Sequence, residues 1–148
     1  MPSRQTIPRQ WLIIVAGQPL DLAAQVPRGT GLLLVGSFAA AELRRLRGLA
    51  LRRGVAMLTE GCSTFQRVHN RRELMHALLA RTPLILLSPI HATTSHPDWR
   101  PIPRMRAAAL ARLGQRRLIA LGGMNAKRYP TVAPLGFIGW AGISAFRT

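Results

Sequence analysis

The sequence predicts an α/β domain in which parallel strands alternate with helices and wind into a barrel. Short aliphatic runs recur along the chain, as in Leu84-Ile-Leu-Leu87 and Leu118-Ile-Ala-Leu121. They lack the alternating polarity of a half-exposed sheet and read as strands buried on both faces. Arginine-rich amphipathic stretches separate them, and that alternation implies βαβ units around a parallel sheet. Three late runs end in small or hydroxyl residues: Ser88-Pro89, Gly122-Gly123 and Gly142-Ile143-Ser144. In a barrel of parallel strands those ends share one face, and that face carries the chemistry.

The elements follow in order. Arg4 and Arg9 precede Trp11-Leu-Ile-Ile-Val-Ala-Gly17, which resembles a short signal peptide. The apolar run is brief and Gln18, Pro19 and Asp21 follow at once, so 11–16 is expected as the first strand. A second strand is expected at 31–36. The segment 38–53 reads as a helix with Leu43, Leu46 and Ala50 on one face and Arg44, Arg45, Arg47 and Arg52 off it. Gly54 stops it. Strands are expected at 55–59 and 64–69. The spacing of Asn70 and Glu73 suits a capping box for a helix over 71–81, with Leu74, Ala77 and Leu78 buried. After the strand 84–88, Pro103 opens a helix to about Leu113 and Gly114 closes it. Strands at 118–122 and 137–141 flank a shorter helical piece over 126–133. The stretch 61–67 is too short for a strand, a helix and another strand. About seven strands are therefore expected, in one domain spanning 1–148.

Composition narrows the partners. The 148 residues carry 21 Lys+Arg against 5 Asp+Glu, a formal net charge of +16. Such charge suits polyanions, phosphorylated ligands or acidic partners. Lys127 is the only lysine, a skew that fits codon bias in a GC-rich genome. No aromatic interleaving or nucleic-acid motif accompanies the charge, so it reads as a solvated surface without a nucleic-acid role. Cys62 is the single cysteine, which excludes an internal disulfide and a multi-cysteine metal site. A cytoplasmic setting is expected. No segment is long enough to cross a membrane.

Four segments resemble, in order, the later strands of the thiamine-phosphate synthase family, which includes the thiazole tautomerases. They are Val68-His69-Asn70-Arg71-Arg72-Glu73-Leu74, Ser88-Pro89-Ile90-His91-Ala92-Thr93-Thr94-Ser95-His96, Ala120-Leu121-Gly122-Gly123-Met124 and Gly139-Trp140-Ala141-Gly142-Ile143-Ser144-Ala145-Phe146. The resemblance is specific over about residues 67–146 and implies a TIM-type (β/α)8 barrel, here short and missing one βα unit. It also implies a thiazole-phosphate site made by Thr93 and Ser95 of the sixth-strand loop, Gly122 and Gly123 after the seventh strand, and Ile143 and Ser144 at the eighth. A dianion needs several converging donors, and glycine lets the backbone come close.

The half that binds a pyrimidine diphosphate in the family departs from the pattern. The second strand, Leu32-Leu33-Leu34-Val35-Gly36-Ser37, lacks the family's arginine and lysine. The third ends Met57-Leu58-Thr59-Glu60-Gly61, where only Glu60 could serve magnesium. His96 stands where a lysine usually follows the hydroxyl pair. His69 falls where the family often has a histidine, whereas Pro89 takes the tautomerase histidine position. His69, His91 and His96 are the acid/base candidates. A histidine metal site lacks a third ligand at suitable spacing.

The resemblance implies a thiamine-phosphate synthase-like transferase. It would join hydroxymethylpyrimidine diphosphate to thiazole phosphate and release pyrophosphate, with Mg2+ if the activity is retained. Its degenerate residues leave two alternatives, a thiazole tautomerase-like isomerase and a non-catalytic binder of a phosphorylated ligand. Phosphorylated small molecules are the expected partners, and self-association stays open. Arg100, Arg104 and Arg106 are candidates to replace the missing basic pair.

Overall fold

The computed structural model describes residues 7–146; Arg4, part of the leader-like pattern, lies outside them. Seven strands form one parallel sheet: β1 (Gln10–Val15), β2 (Gly31–Val35), β3 (Met57–Thr59), β4 (Phe65–Val68), β5 (Leu84–Leu87), β6 (Leu118–Leu121) and β7 (Gly139–Gly142). Their order is β3-β2-β1-β7-β6-β5-β4. This is chain order around a ring, with β3 and β4 as its two ends. A single parallel bridge between Glu60 and Phe65 joins those ends. The fold is thus the expected TIM-type α/β barrel, nearly closed and reduced to seven strands.

Two-faced burial explains why these runs are strands. Every residue of β2 and of β5 is buried. One alternating set, with Trp11, Ile13, Leu33, Val35, Phe65, Leu86, Ile119 and Ala141, packs together inside the ring. The other set meets helices. Leu12, Ile14, Leu32 and Leu34 pack with Leu46 and Ala50 of α2 (Ala40–Arg53). Val68, Ile85, Leu87, Leu118 and Ala120 pack with α3 (Arg71–Leu79) and α4 (Arg104–Leu113).

Helix ends follow local chemistry. The Glu42 carboxylate accepts from the Ala39 N–H at 3.1 Å at the start of α2, and Gly54 ends that helix in the left-handed region, φ 63°. The Val55 N–H then reaches back to the Ala50 carbonyl at 3.0 Å, a Schellman closure. This helix end takes up Val55, so β3 starts at Met57 and not at 55. At α3 the Asn70 side chain accepts from the Glu73 N–H at 2.9 Å. Glu73 in turn accepts from the His69 N–H at 2.9 Å, one residue before the amide of a standard capping box. The expected 126–133 piece splits into α5 (Tyr129–Val132) and a 3-10 turn over Ala133–Leu135. A four-residue α1 (Leu22–Gln25) was not foreseen, since it has no side-chain cap and no full turn of periodicity.

The β3–β4 connection positions the site. Parallel neighbours in register need a crossover of a dozen or more residues. Here five residues, 60–64, suffice, because β4 begins level with the end of β3. The turn is held by the Gly61 N–H on the Phe65 carbonyl at 2.9 Å and by the Thr64 hydroxyl on the Thr59 carbonyl. The buried Thr82 hydroxyl donates to the Cys62 carbonyl at 2.8 Å.

Candidate functional site

Alternation along the strands puts Val15, Val35, Glu60, Arg67, Ser88, Leu121 and Ile143 around the barrel mouth. Most of this ring is aliphatic. The charge it has is self-paired: the Arg67 guanidinium contacts both Glu60 oxygens, at 2.5 and 3.1 Å. Trp11 and Phe65, each almost fully buried, fill the interior below. A ligand therefore has to be held by the loops above the mouth.

Two of those loops meet closely. The β5–α4 loop continues the strand pairing past β5, with the Ile90 N–H on the Leu121 carbonyl at 2.9 Å and the His91 N–H on the Gly122 carbonyl at 3.0 Å. Gly122 and Gly123 both have positive φ, 101° and 59°. A Cβ on Gly122 would stand 2.8 Å from the Pro89 Cα, and one on Gly123 would stand 2.6 Å from the Ala92 carbonyl oxygen. Glycine is needed here for the packing of loop on loop, in addition to any approach by a ligand. Gly122 is buried beneath the loop, whereas Gly123 is half-buried. The Gly123 amide has no acceptor among the described residues.

The histidines divide into two places. His91 belongs to the loop crossing. Its Nε2 is shut off from solvent with no hydrogen-bond partner among the described residues. Burial, and then the positive charge of Arg128, lower its pKa below the usual 6.5, so the ring is held neutral. His69 and His96 converge instead on Trp99. His96 stacks on the indole with centroids 3.9 Å apart, and His69 meets it edge-on at 5.3 Å. The His69 Nδ1 lies 3.1 Å from a Glu73 oxygen. The Thr93 hydroxyl accepts from the His96 N–H at 3.0 Å, which fixes the loop's turn, and Ser95 is exposed beside it.

At the end of β7, Ile143 packs against the barrel interior, next to the start of the last 3-10 turn, Ser144–Phe146. The Ser144 side chain falls outside the described part of the structure. The candidate anion donors Thr93, Ser95, Gly122, Gly123 and Ile143 thus share the C-terminal face, as strand direction requires. Arg104 is tied to the Thr131 carbonyl at 2.8 Å, while Arg100 and Arg106 are exposed.

Two residues at this face were missed in the sequence. One is Trp99, whose role depends on the path of the 89–103 loop. The other is Arg128, which donates to the Gly123 carbonyl at 2.5 Å. The Asn125 side chain, accepting from the Arg128 N–H at 2.9 Å, is the local signal that could have placed it.

A resident magnesium does not fit these residues. The ion takes oxygen ligands, usually carboxylates together with phosphate oxygens. Glu60 is already committed to Arg67, and no three His, Cys, Asp or Glu side chains gather among the described residues.

A family model described as thiamine monophosphate synthase matches residues 52–146. Among solved structures, the thiamine phosphate pyrophosphorylase from Pyrococcus furiosus superposes with a TM-score of 0.74 at 14% identity, covering 95% of this chain and 88% of that one. The thiamine phosphate pyrophosphorylase from Bacteroides thetaiotaomicron gives 0.59 at 12% identity, over 92% and 83%. At such identities the likeness is one of fold. No curated protein matches the sequence.

Proposed function

The chain belongs to the thiamine monophosphate synthase family, and from that premise we propose that it binds a thiazole phosphate at the barrel's C-terminal face while condensing it with a pyrimidine diphosphate only slowly. The phosphate would rest on the Thr93 and Ser95 hydroxyls, the Gly122–Gly123 turn, and Ile143 with Ser144. The observation that supports binding over condensation is the mouth itself. Where the family resemblance implies basic residues for a diphosphate, β2 presents the aliphatic Val35, and Arg67 is neutralised by Glu60. A charge-assisted hydrogen bond contributes about 1.5–3 kcal/mol. Losing two would slow transfer by roughly two to four orders of magnitude.

The neutral His91 favours a second reading, the thiazole tautomerase-like isomerase. A half-buried, neutral imidazole whose Nε2 has no partner among the described residues can accept a proton from a heterocycle held beside Gly123. It stands two residues beyond Pro89 on the same loop and replaces the histidine that the tautomerases carry at that position. His69 and His96, stacked about Trp99, would hold the loop rather than transfer protons.

The test combines calorimetry with a coupled assay. Thiazole phosphate should bind without added magnesium. Thiamine phosphate should form far more slowly than with an ordinary family member when both substrates and Mg2+ are supplied. Turnover at the ordinary rate would refute the loss of condensation, and absence of thiazole-phosphate binding would refute the site. Loss of ring-proton exchange on changing His91 to Gln would support the isomerase.

A further inference from the structure

Arg128 reaches the Gly122–Gly123 turn and donates to the Gly123 carbonyl. A Cβ on Gly123 would stand 3.2 Å from Arg128 Nη1, 2.9 Å from the His91 Cβ and 2.6 Å from the Ala92 carbonyl oxygen. The guanidinium, the half-buried glycine and the residue preceding Thr93 therefore meet at one spot. Guanidinium groups carry five donors, yet among the described residues the Arg128 side chain uses one, and on a neutral carbonyl. It has no carboxylate partner among those residues. Of the other arginines near this face, Arg67 is paired with Glu60, Arg104 reaches the Thr131 carbonyl and not the glycine turn, and Arg100 and Arg106 are exposed. His96, in the place of the loop lysine, is stacked on Trp99.

We propose that Arg128 is the cationic partner of the bound phosphate, exchanging the Gly123 carbonyl for a phosphate oxygen, and that it sets the preference for phosphorylated over unphosphorylated ligand. The assignment rests on the phosphate site proposed above. The planar fork of an arginine suits two oxygens of one phosphate, and the residue is exposed. The charge already acts at this spot, since it is the second cause of the lowered His91 pKa.

The experiment compares the wild type with Arg128→Ala and Arg128→Lys. Calorimetry would use thiazole phosphate, the unphosphorylated thiazole alcohol and inorganic phosphate as probes. Arg128→Ala should weaken both phosphate probes by about 10- to 150-fold, the equivalent of one charge-assisted hydrogen bond. It should leave the alcohol unchanged, and Arg128→Lys should restore part of the loss. The His91 ring, followed by NMR titration in the free protein, should show a higher pKa in Arg128→Ala. Equal weakening of the alcohol and the phosphate, or no weakening of either phosphate probe, would overturn the assignment. If the wild type binds inorganic phosphate but not thiazole phosphate, the thiazole reading fails; Arg128 stands if its alanine variant loses the inorganic ion. A wild type that binds neither phosphate probe overturns both.

Discussion

At the scale of single residues, His91 and the two glycines behind it decide most. The folded chain keeps His91 neutral below its ordinary pKa of 6.5, whereas the unfolded chain takes up the proton at that value. The unfolded state therefore binds more protons as pH falls through 6.5 toward the folded pKa, and stability declines across that window. Above 6.5 the contribution is fully present. Melting temperature should drop as pH falls below about 6.5, and His91→Gln should flatten the slope; an unaltered slope would contradict the neutral ring. Gly122→Val should cost about 1–3 kcal/mol from the positive φ alone. It also drives a Cβ toward the Pro89 backbone, so thiazole-phosphate binding should be lost with the displaced loop. Chemical denaturation and calorimetry on one variant check both effects, and wild-type values in either would count against this packing. The double glycine was legible in the sequence as a site feature, but its loop-packing role was not. That role depends on where a loop thirty residues earlier passes.

At the scale of elements, β1, β2, β5 and β6 were legible as aliphatic runs, whereas β3, β4 and β7 are short and mixed in composition and were legible from their place in the strand–helix alternation. The absence of a helix between β3 and β4 was legible as a distance too short to hold one. How the ring closes there was not, because nothing local to Gly61-Cys62-Ser63-Thr64 announces the Thr82 contact. The meeting of His69 with His96 was hidden in the same way, since it runs through Trp99 on a long loop. Thr82 gives an element-scale prediction. Its hydroxyl is fully buried and holds the Cys62 carbonyl. Thr82→Val keeps the shape and removes the donor, which should cost roughly 1 kcal/mol or somewhat more. Urea unfolding would show it as a lower midpoint with an unchanged slope. A midpoint equal to the wild type would mean that the turn holds without this bond.

At the scale of the whole molecule, a net charge of +16 on 148 residues makes self-repulsion a general term. All five carboxylates are described, and Glu60 and Glu73 are paired locally with Arg67 and His69. Raising salt to about 0.15 M shortens the Debye length to about 8 Å and screens the repulsion. Melting temperature should therefore rise with sodium chloride from low salt, and a flat or falling response would show that the arginines are compensated in a way their positions do not suggest. Family and barrel were legible together, because the segments that resemble the family lie within the matched residues 52–146.

The joint between β3 and β4 has a consequence in time rather than in shape. Every other seam of the ring has three to five residue pairs in register, while this one has a single bridge and a surface ion pair. Local opening starts where the fewest bonds must break together. Breathing of the wall should begin there, with the Gly61 and Phe65 amides at the bridge trading their hydrogens for solvent deuterium sooner than those of Ile13 or Leu86. The ring then behaves as a band with a clasp, its flexibility gathered beside Glu60 at the mouth that the ligand would approach.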